Sequence, residues 1–146
     1  MAITQALANS FKKELLEAEH NFKAAGGDKF KIALYTSSAT LNSATTSYTT
    51  SQDVPNSGQY VAGGGALVNS GTSIASGVAI VDFADRSFTG VTLTARGALI
   101  YNTSATVANA AVAALDFGAD KTATSGTFTI QFPAFTTSAA ILRISG

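Results

Sequence analysis

The 146-residue sequence has no cysteine, no tryptophan, one histidine, two prolines and few charges. Each shortage removes a class of chemistry. Without cysteine there is neither a disulfide framework nor a thiolate metal site. Without tryptophan, a cleft lined by large aromatic rings is poorly supplied. Nine Lys and Arg balance nine Asp and Glu, giving a net charge of zero. That balance excludes the long-range field of a nucleic-acid binder, and no basic cluster with interleaved aromatics occurs. No apolar run approaches the roughly 20 residues that cross a bilayer, so no membrane partner is expected. Lys12, Lys13 and Glu14 interrupt the N-terminal apolar residues too soon for a secretory signal, which predicts synthesis in the cytoplasm.

What remains is apolar and hydroxyl-rich. The apolar fraction is 46% and the charged fraction 12%, the latter about half the usual share. Ser and Thr must therefore cover much of the surface. Such a surface suits a protein packed against neighbours or repeated in an array, and equally a β-rich domain with Thr on its exposed strand faces. The length fits a single domain with one core.

Apolar residues Ile3, Leu7, Phe11, Leu15, Ala18 and Phe22 recur at spacings of three and four, which predicts an amphipathic helix over residues 3–25. Lys13 with Glu17 and Glu19 with Lys23 would pair across one turn, and Gly26-Gly27 would cap its end. The apolar stripe would cover a sheet of the same domain or dock on a neighbouring subunit, with Phe11 a candidate interface residue. Residues 1–27 are thus assigned to an N-terminal helix and 28–146 to a β-sandwich within one domain.

Residues 29–35 alternate as a strand with Phe30, Ile32 and Leu34 inward. The Ser/Thr/Gly-rich stretch 36–76 is expected to hold short strands near 47–50, 59–62 and 66–69. Beyond it, residues 78–83 form an apolar strand buried on both faces or turning between sheets, followed by a turn at Ala84-Asp85-Arg86. Strands follow at 87–94, with Gly90 a candidate bulge, at 97–101 and at 111–117. A loop is expected at 120–126, then a strand at 127–132 with Phe128, Ile130 and Phe132 on one side, and a last strand at 139–144. One helix followed by eight or nine short strands predicts a mainly β fold: an antiparallel β-sandwich or jelly-roll-like domain. The segment 78–102 is loosely echoed by 111–132, each running apolar residues into Asp-Phe and a short acidic-basic turn.

Candidate chemistry is sparse. His20, off the apolar stripe, reads as solvated helix surface, and no G-x-S-x-G elbow occurs. Asp82, Asp85, Asp116 and Asp120 occupy corresponding places in the echoed segments. Converging, they would bind a cation through oxygen ligands. The spacing matches no EF-hand, and neighbouring Arg86 and Lys121 favour turn capping and local ion pairs. Gly63-Gly64-Gly65 is followed by no Gly-Lys-Ser/Thr and is not a phosphate loop. It reads as a hairpin tip or a close approach of two backbones. Arg96 and Arg143 would reach a carboxylate such as Asp82 or Asp116, or anchor an interface. Tyr48, Tyr60 and Tyr101 are the candidate ligand contacts. No catalytic, cofactor or metal residue is assigned.

The strand motifs Lys31-Ile32-Ala33-Leu34-Tyr35-Thr36, Tyr60-Val61-Ala62-Gly63-Gly64, Val81-Asp82-Phe83-Ala84-Asp85 and Thr94-Ala95-Arg96-Gly97-Ala98-Leu99-Ile100-Tyr101-Asn102 carry a resemblance. So do Leu115-Asp116-Phe117-Gly118-Ala119-Asp120-Lys121 and Phe128-Thr129-Ile130-Gln131-Phe132-Pro133. Together they resemble a family of small structural proteins of tailed bacteriophages, over residues 30–144. The resemblance implies a non-enzymatic, multi-copy virion protein on a capsid or tail surface, with decoration favoured. Its partners would be its own copies and other virion proteins. The alternative is a carbohydrate- or receptor-binding module acting as a tail adhesin.

Overall fold

A computed structural model describes residues 2–146. The described residues are mainly β, with two antiparallel sheets and one short N-terminal helix. Strand β1 (Ala6–Leu7) leads into helix α1 (Asn9–Leu16), then β2 (Phe30–Tyr35), β3 (Gly65–Ala66), β4 (Asn69–Ala75), β5 (Val78–Phe83), β6 (Arg86–Asn102), β7 (Ala110–Ile130) and β8 (Leu142–Ile144). The larger sheet has the order β1-β7-β6-β2-β3, and the smaller one β4-β5-β8. One core joins them. Phe83 and Leu142 of the small sheet belong to the same buried cluster as Phe30, Ile32, Leu99 and Val112 of the large one.

The long β6–β7 hairpin is the spine. Its register runs from Arg86 opposite Ile130 to Asn102 opposite Ala110. The two strands expected over 87–101 are therefore one, and the expected loop at 120–126 is the middle of β7. That stretch is held by its neighbour and not by burial. The Thr94 and Thr122 hydroxyls meet at 2.8 Å, and Ser87 and Thr129 at 2.9 Å, the cross-strand pairing that Thr-rich strands favour. The register shifts between Phe88 and Val91, where Gly90 has φ 64°, so the bulge read from Gly90 is present. Phe128, Ile130 and Phe132 are all buried, as their alternation requires.

The predicted helix is the largest correction. Only residues 9–16 are helical. Ala6 and Leu7 pair instead with Ala114 and Ala113, and Ile3 bridges to Leu41. The amides of Ala8 and Asn9 donate to Val112 O and Ser43 O at 3.0 and 2.8 Å, so the sheet takes donors that a longer helix would use. At the other end Ala18 adopts φ 61° and reverses the chain. Gly26 lies in a later turn, not at the helix end. Of the expected ion pairs, Lys13–Glu17 forms at 2.7 Å, whereas Glu19 accepts the Thr106 amide at 3.0 Å.

Residues 36–64 are irregular chain that meets Ile3 at Leu41 and the start of β7 at Ser47 before it returns beside β2 at Asp53 and Gly64. Of the short strands expected over 36–76, those near 47–50 and 59–62 are reduced to the single bridges Ser47–Ala110 and Ser57–Tyr60. The one near 66–69 is divided between the end of β3 and the start of β4, and Asp53, expected in a turn, bridges to Tyr35. The apolar side chains Leu41, Val54 and Tyr60 are buried, which fixes the segment without a ladder. Gly64, at φ 89°, passes so close to β2 that a Cβ would lie 1.8 Å from Ile32 O. The triglycine is thus a close approach of two backbones.

The echoed segments do not occupy equivalent places. Asp82-Phe83 ends β5 at the crossing between sheets, whereas Asp116-Phe117 lies inside β7.

Candidate functional site

Three groups of acid–base side chains bear on a possible site, and the first two are turned inward. His20 follows the reversal at Ala18 and is buried, contrary to the surface position expected, because the turn folds it back onto Phe11 with ring centroids 4.9 Å apart. Phe22 and Phe30 lie beyond it. Asn102 fixes its tautomer. The Asn102 Oδ1 accepts the Ser104 amide at 2.8 Å, so its Nδ2 must donate, to Asp28 Oδ2 at 2.8 Å and to His20 Nδ1 at 3.0 Å. His20 Nδ1 therefore accepts, and its Nε2 donates to Glu14 Oε1 at 2.9 Å. Both nitrogens are occupied by the protein, which leaves none to take a proton from a substrate.

The second group surrounds Asp53. Its Oδ2 accepts the Tyr48 hydroxyl at 2.6 Å and the Gly63 amide at 2.7 Å, and its Oδ1 accepts the Tyr60 hydroxyl at 2.6 Å. Tyr60 Oη also accepts the Leu34 amide at 2.8 Å. Tyr101 donates to Gly63 O and stacks on Tyr48 at 4.8 Å. Burial, with the Asp53 charge adding to it, pushes the Tyr101 hydroxyl up to about 12 and raises Tyr48 and Tyr60 further. None is a phenolate at neutral pH. Tyr60 and Tyr101 are buried and Tyr48 is half-buried. The three tyrosines expected as ligand contacts thus brace the 48–64 segment against β2 and β6, and neither Tyr60 nor Tyr101 offers a ring face for stacking.

The third group is the four aspartates, which the fold separates. Asp82 is buried in β5; its Oδ1 accepts the Phe83 amide at 2.9 Å, and its Oδ2 makes no hydrogen bond among the described residues. Asp85 Oδ1 accepts the Phe132 amide at 2.8 Å, which ties the chain after β7 to the crossing between sheets. Asp116 accepts the Gly118 amide at 2.9 Å and Arg96 Nε at 3.2 Å, and both hold its carboxyl below the usual range. Asp120 is exposed. Among the described residues, no three His, Asp or Glu side chains converge on a metal-sized site. Arg96 thus meets Asp116, one of its two expected carboxylates. Arg143 meets neither: its Nη1 donates to Ser138 O at 2.9 Å.

What the sequence reading missed is a groove of about 680 Å³ between α1, the returning segment 18–23 and the small sheet. Its floor comes from the cross-strand row Thr72–Val81–Leu142 and from Ala79 and Ile144 of the next row out, where Ile74, Ala79 and Ile144 lie opposite one another. Phe11 and Phe22 close the inner end, and Leu15 and Leu16 form the opposite wall. Leu16 is 90% exposed, Ile74 71% and Ile144 58%. The groove carries mainly apolar surface, with Lys12, Lys23, Thr72 and His20 in its lining and no carboxylate among the described residues, so it is suited to binding.

Among the described residues, no helix is long and apolar enough to cross a membrane. Comparison with protein-family models, curated proteins and solved structures finds no match.

Proposed function

We propose that this chain is a non-enzymatic structural protein of a bacteriophage virion, present in many copies on the capsid or tail surface and of the decoration type. Its partners are other virion proteins and its own copies. The observation that carries the reading is the contrast between the polar groups and the surface. His20, Asp53 and their partners are spent on internal hydrogen bonds, while apolar surface lies open in the groove. Surfaces of that kind mark interaction sites. The strand motifs that resemble phage structural proteins, and the thinly charged, hydroxyl-rich surface, point the same way. The carbohydrate- or receptor-binding alternative has less support, because Tyr60 and Tyr101 are buried. Mass spectrometry of purified particles of the encoding phage tests the proposal. Tens to hundreds of copies per particle are expected on the order of symmetric assemblies, and absence from the particle refutes it.

A further inference from the structure

The groove has a charge and a strand edge that specify its occupant. The charged residues that border it are Lys12, Lys23 and Arg143, all cationic, and no carboxylate does so among the described residues. One wall is β8, which pairs with β5 on one side and with no strand on the other among the described residues. A second concavity of about 550 Å³ lies against β8, with Leu7, Val78 and Thr137 on its other walls.

We propose that β8 accepts an extended segment of a partner protein as a fourth strand of the small sheet, and that this segment alternates apolar and acidic residues. Strand addition of this kind draws affinity from backbone hydrogen bonds and specificity from alternate side chains. The register assigns the alternation. Leu142 and Ile144 point to the groove face, and Arg143 points to the opposite one. A strand alongside therefore places apolar side chains next to Leu142 and Ile144 and a side chain of the other set next to Arg143. A carboxylate there forms a favourable cross-strand pair. Lys12 and Lys23 add to the same sign at the rim.

A second copy of this chain fits less well. If β8 paired with β8 of another copy so that all three residues had partners, Arg143 would face Arg143, and like charges directly opposite are destabilising. The inference rests on the proposed function only for the partner's origin, a protein of the same particle. The particle measurement above and the peptide measurement below fail independently.

The probe is a fluorescein-labelled peptide of about eight residues, a typical strand length, alternating valine and glutamate. A valine–lysine peptide and dodecanoate are the comparisons. Fluorescence anisotropy reads binding to the full chain, and amide chemical shifts map it. Expected is saturable binding of the acidic peptide with shifts centred on residues 142–144, and binding of the basic peptide at least about tenfold weaker. Arg143→Glu should invert that preference, and Ile144→Ser, at an exposed position, should weaken both peptides while leaving the circular dichroism unchanged. No binding of the acidic peptide at about 1 mM, the weak end of specific affinity, overturns the proposal. So do equal affinity for both peptides, shifts away from β8, or tighter binding of dodecanoate. Dimerisation in light scattering that Arg143→Glu abolishes would make the occupant a second copy and overturn it as well.

Discussion

Removing the Asp53 carboxylate should detach the 48–64 segment from the sheet. The carboxylate accepts three donors, the Tyr48 and Tyr60 hydroxyls at 2.6 Å and the Gly63 amide at 2.7 Å. Hydrogen bonds to a charged acceptor contribute about 1.5–3 kcal/mol each. Water can replace Asp53 for half-buried Tyr48 more readily than for Tyr60, which is fully buried, and the three share one acceptor and do not add. Asp53→Ala should therefore cost about 3–5 kcal/mol, which lowers the melting temperature by roughly 10 °C in a chain of this length. The urea midpoint should fall by about 2 M. Asp53→Asn is a sharper probe. Its oxygen can serve Tyr48 and Gly63 while its amide donates to Tyr60 Oη, whose hydrogen can turn to Leu34 O, 3.4 Å away. The loss should then be about 1–2 kcal/mol. Tyr60→Phe in the Asp53→Ala background should cost less than in the native chain, because the shared bond is already gone. Urea denaturation of the four proteins supplies the cycle. A loss below about 1 kcal/mol for Asp53→Ala, the scale of an ordinary surface contact, would refute the account of this cluster.

Two further outcomes follow from the small sheet. Burial raises the Asp82 carboxyl above its usual value, and the nearby Asp85 charge adds to this, while the Phe83 and Ile141 amides pull the other way. The folded protein thus binds this proton more tightly than the unfolded chain, so Asp82 lowers stability as pH rises from about 3.9, the unfolded value, through the raised folded value. Asp82→Asn should be more stable than the parent at pH 7 by about 1 kcal/mol and lose that advantage near pH 3, as measured by urea melts across pH; an advantage that grows on acidification would contradict the assignment. Deleting residues 142–146 removes β8 and buried Leu142. The loss should exceed the about 2–5 kcal/mol of a core leucine truncation, read as a drop in thermal midpoint, and an unchanged midpoint would show that β8 is not part of the cooperative fold.

Much of the sheet structure was legible because alternation reports burial. Residues 78–83, the side set Phe128, Ile130 and Phe132, and the Gly90 bulge all follow from pattern and one glycine. The middle of β7 was not legible. Its residues are polar on both sides, and the strand exists because β6 lies beside it, a condition that no window of its own sequence contains. The helix was over-read for the reverse reason. Ile3 and Phe22 keep helical spacing with Phe11 and are buried with it, yet one sits in a bridge to Leu41 and the other lies beyond a left-handed Ala18. Equal spacing can arise from separate contacts with one core. His20 depends on Asn102, 82 positions away, and a contact of that range leaves no local signature.

The groove shows a deeper limit. Alternation correctly puts Val81 and Leu142 on one face of the small sheet and extends the same face outward through Ala79 and Ile144. Phe83 and Leu142 lie inside the core, whereas Ile144 on that face is 58% exposed. The apolar face is longer than the layer that covers it. α1 would have to continue past Leu16 to cover more, and it ends where Ala18 turns left-handed and the Glu19 amide closes back on Glu14 O at 2.9 Å. A sequence pattern states which side of a strand is apolar and not how far its cover extends. The uncovered part is set by where Ala18 turns the chain, so the position of the candidate binding surface was fixed by the residue that broke the predicted helix.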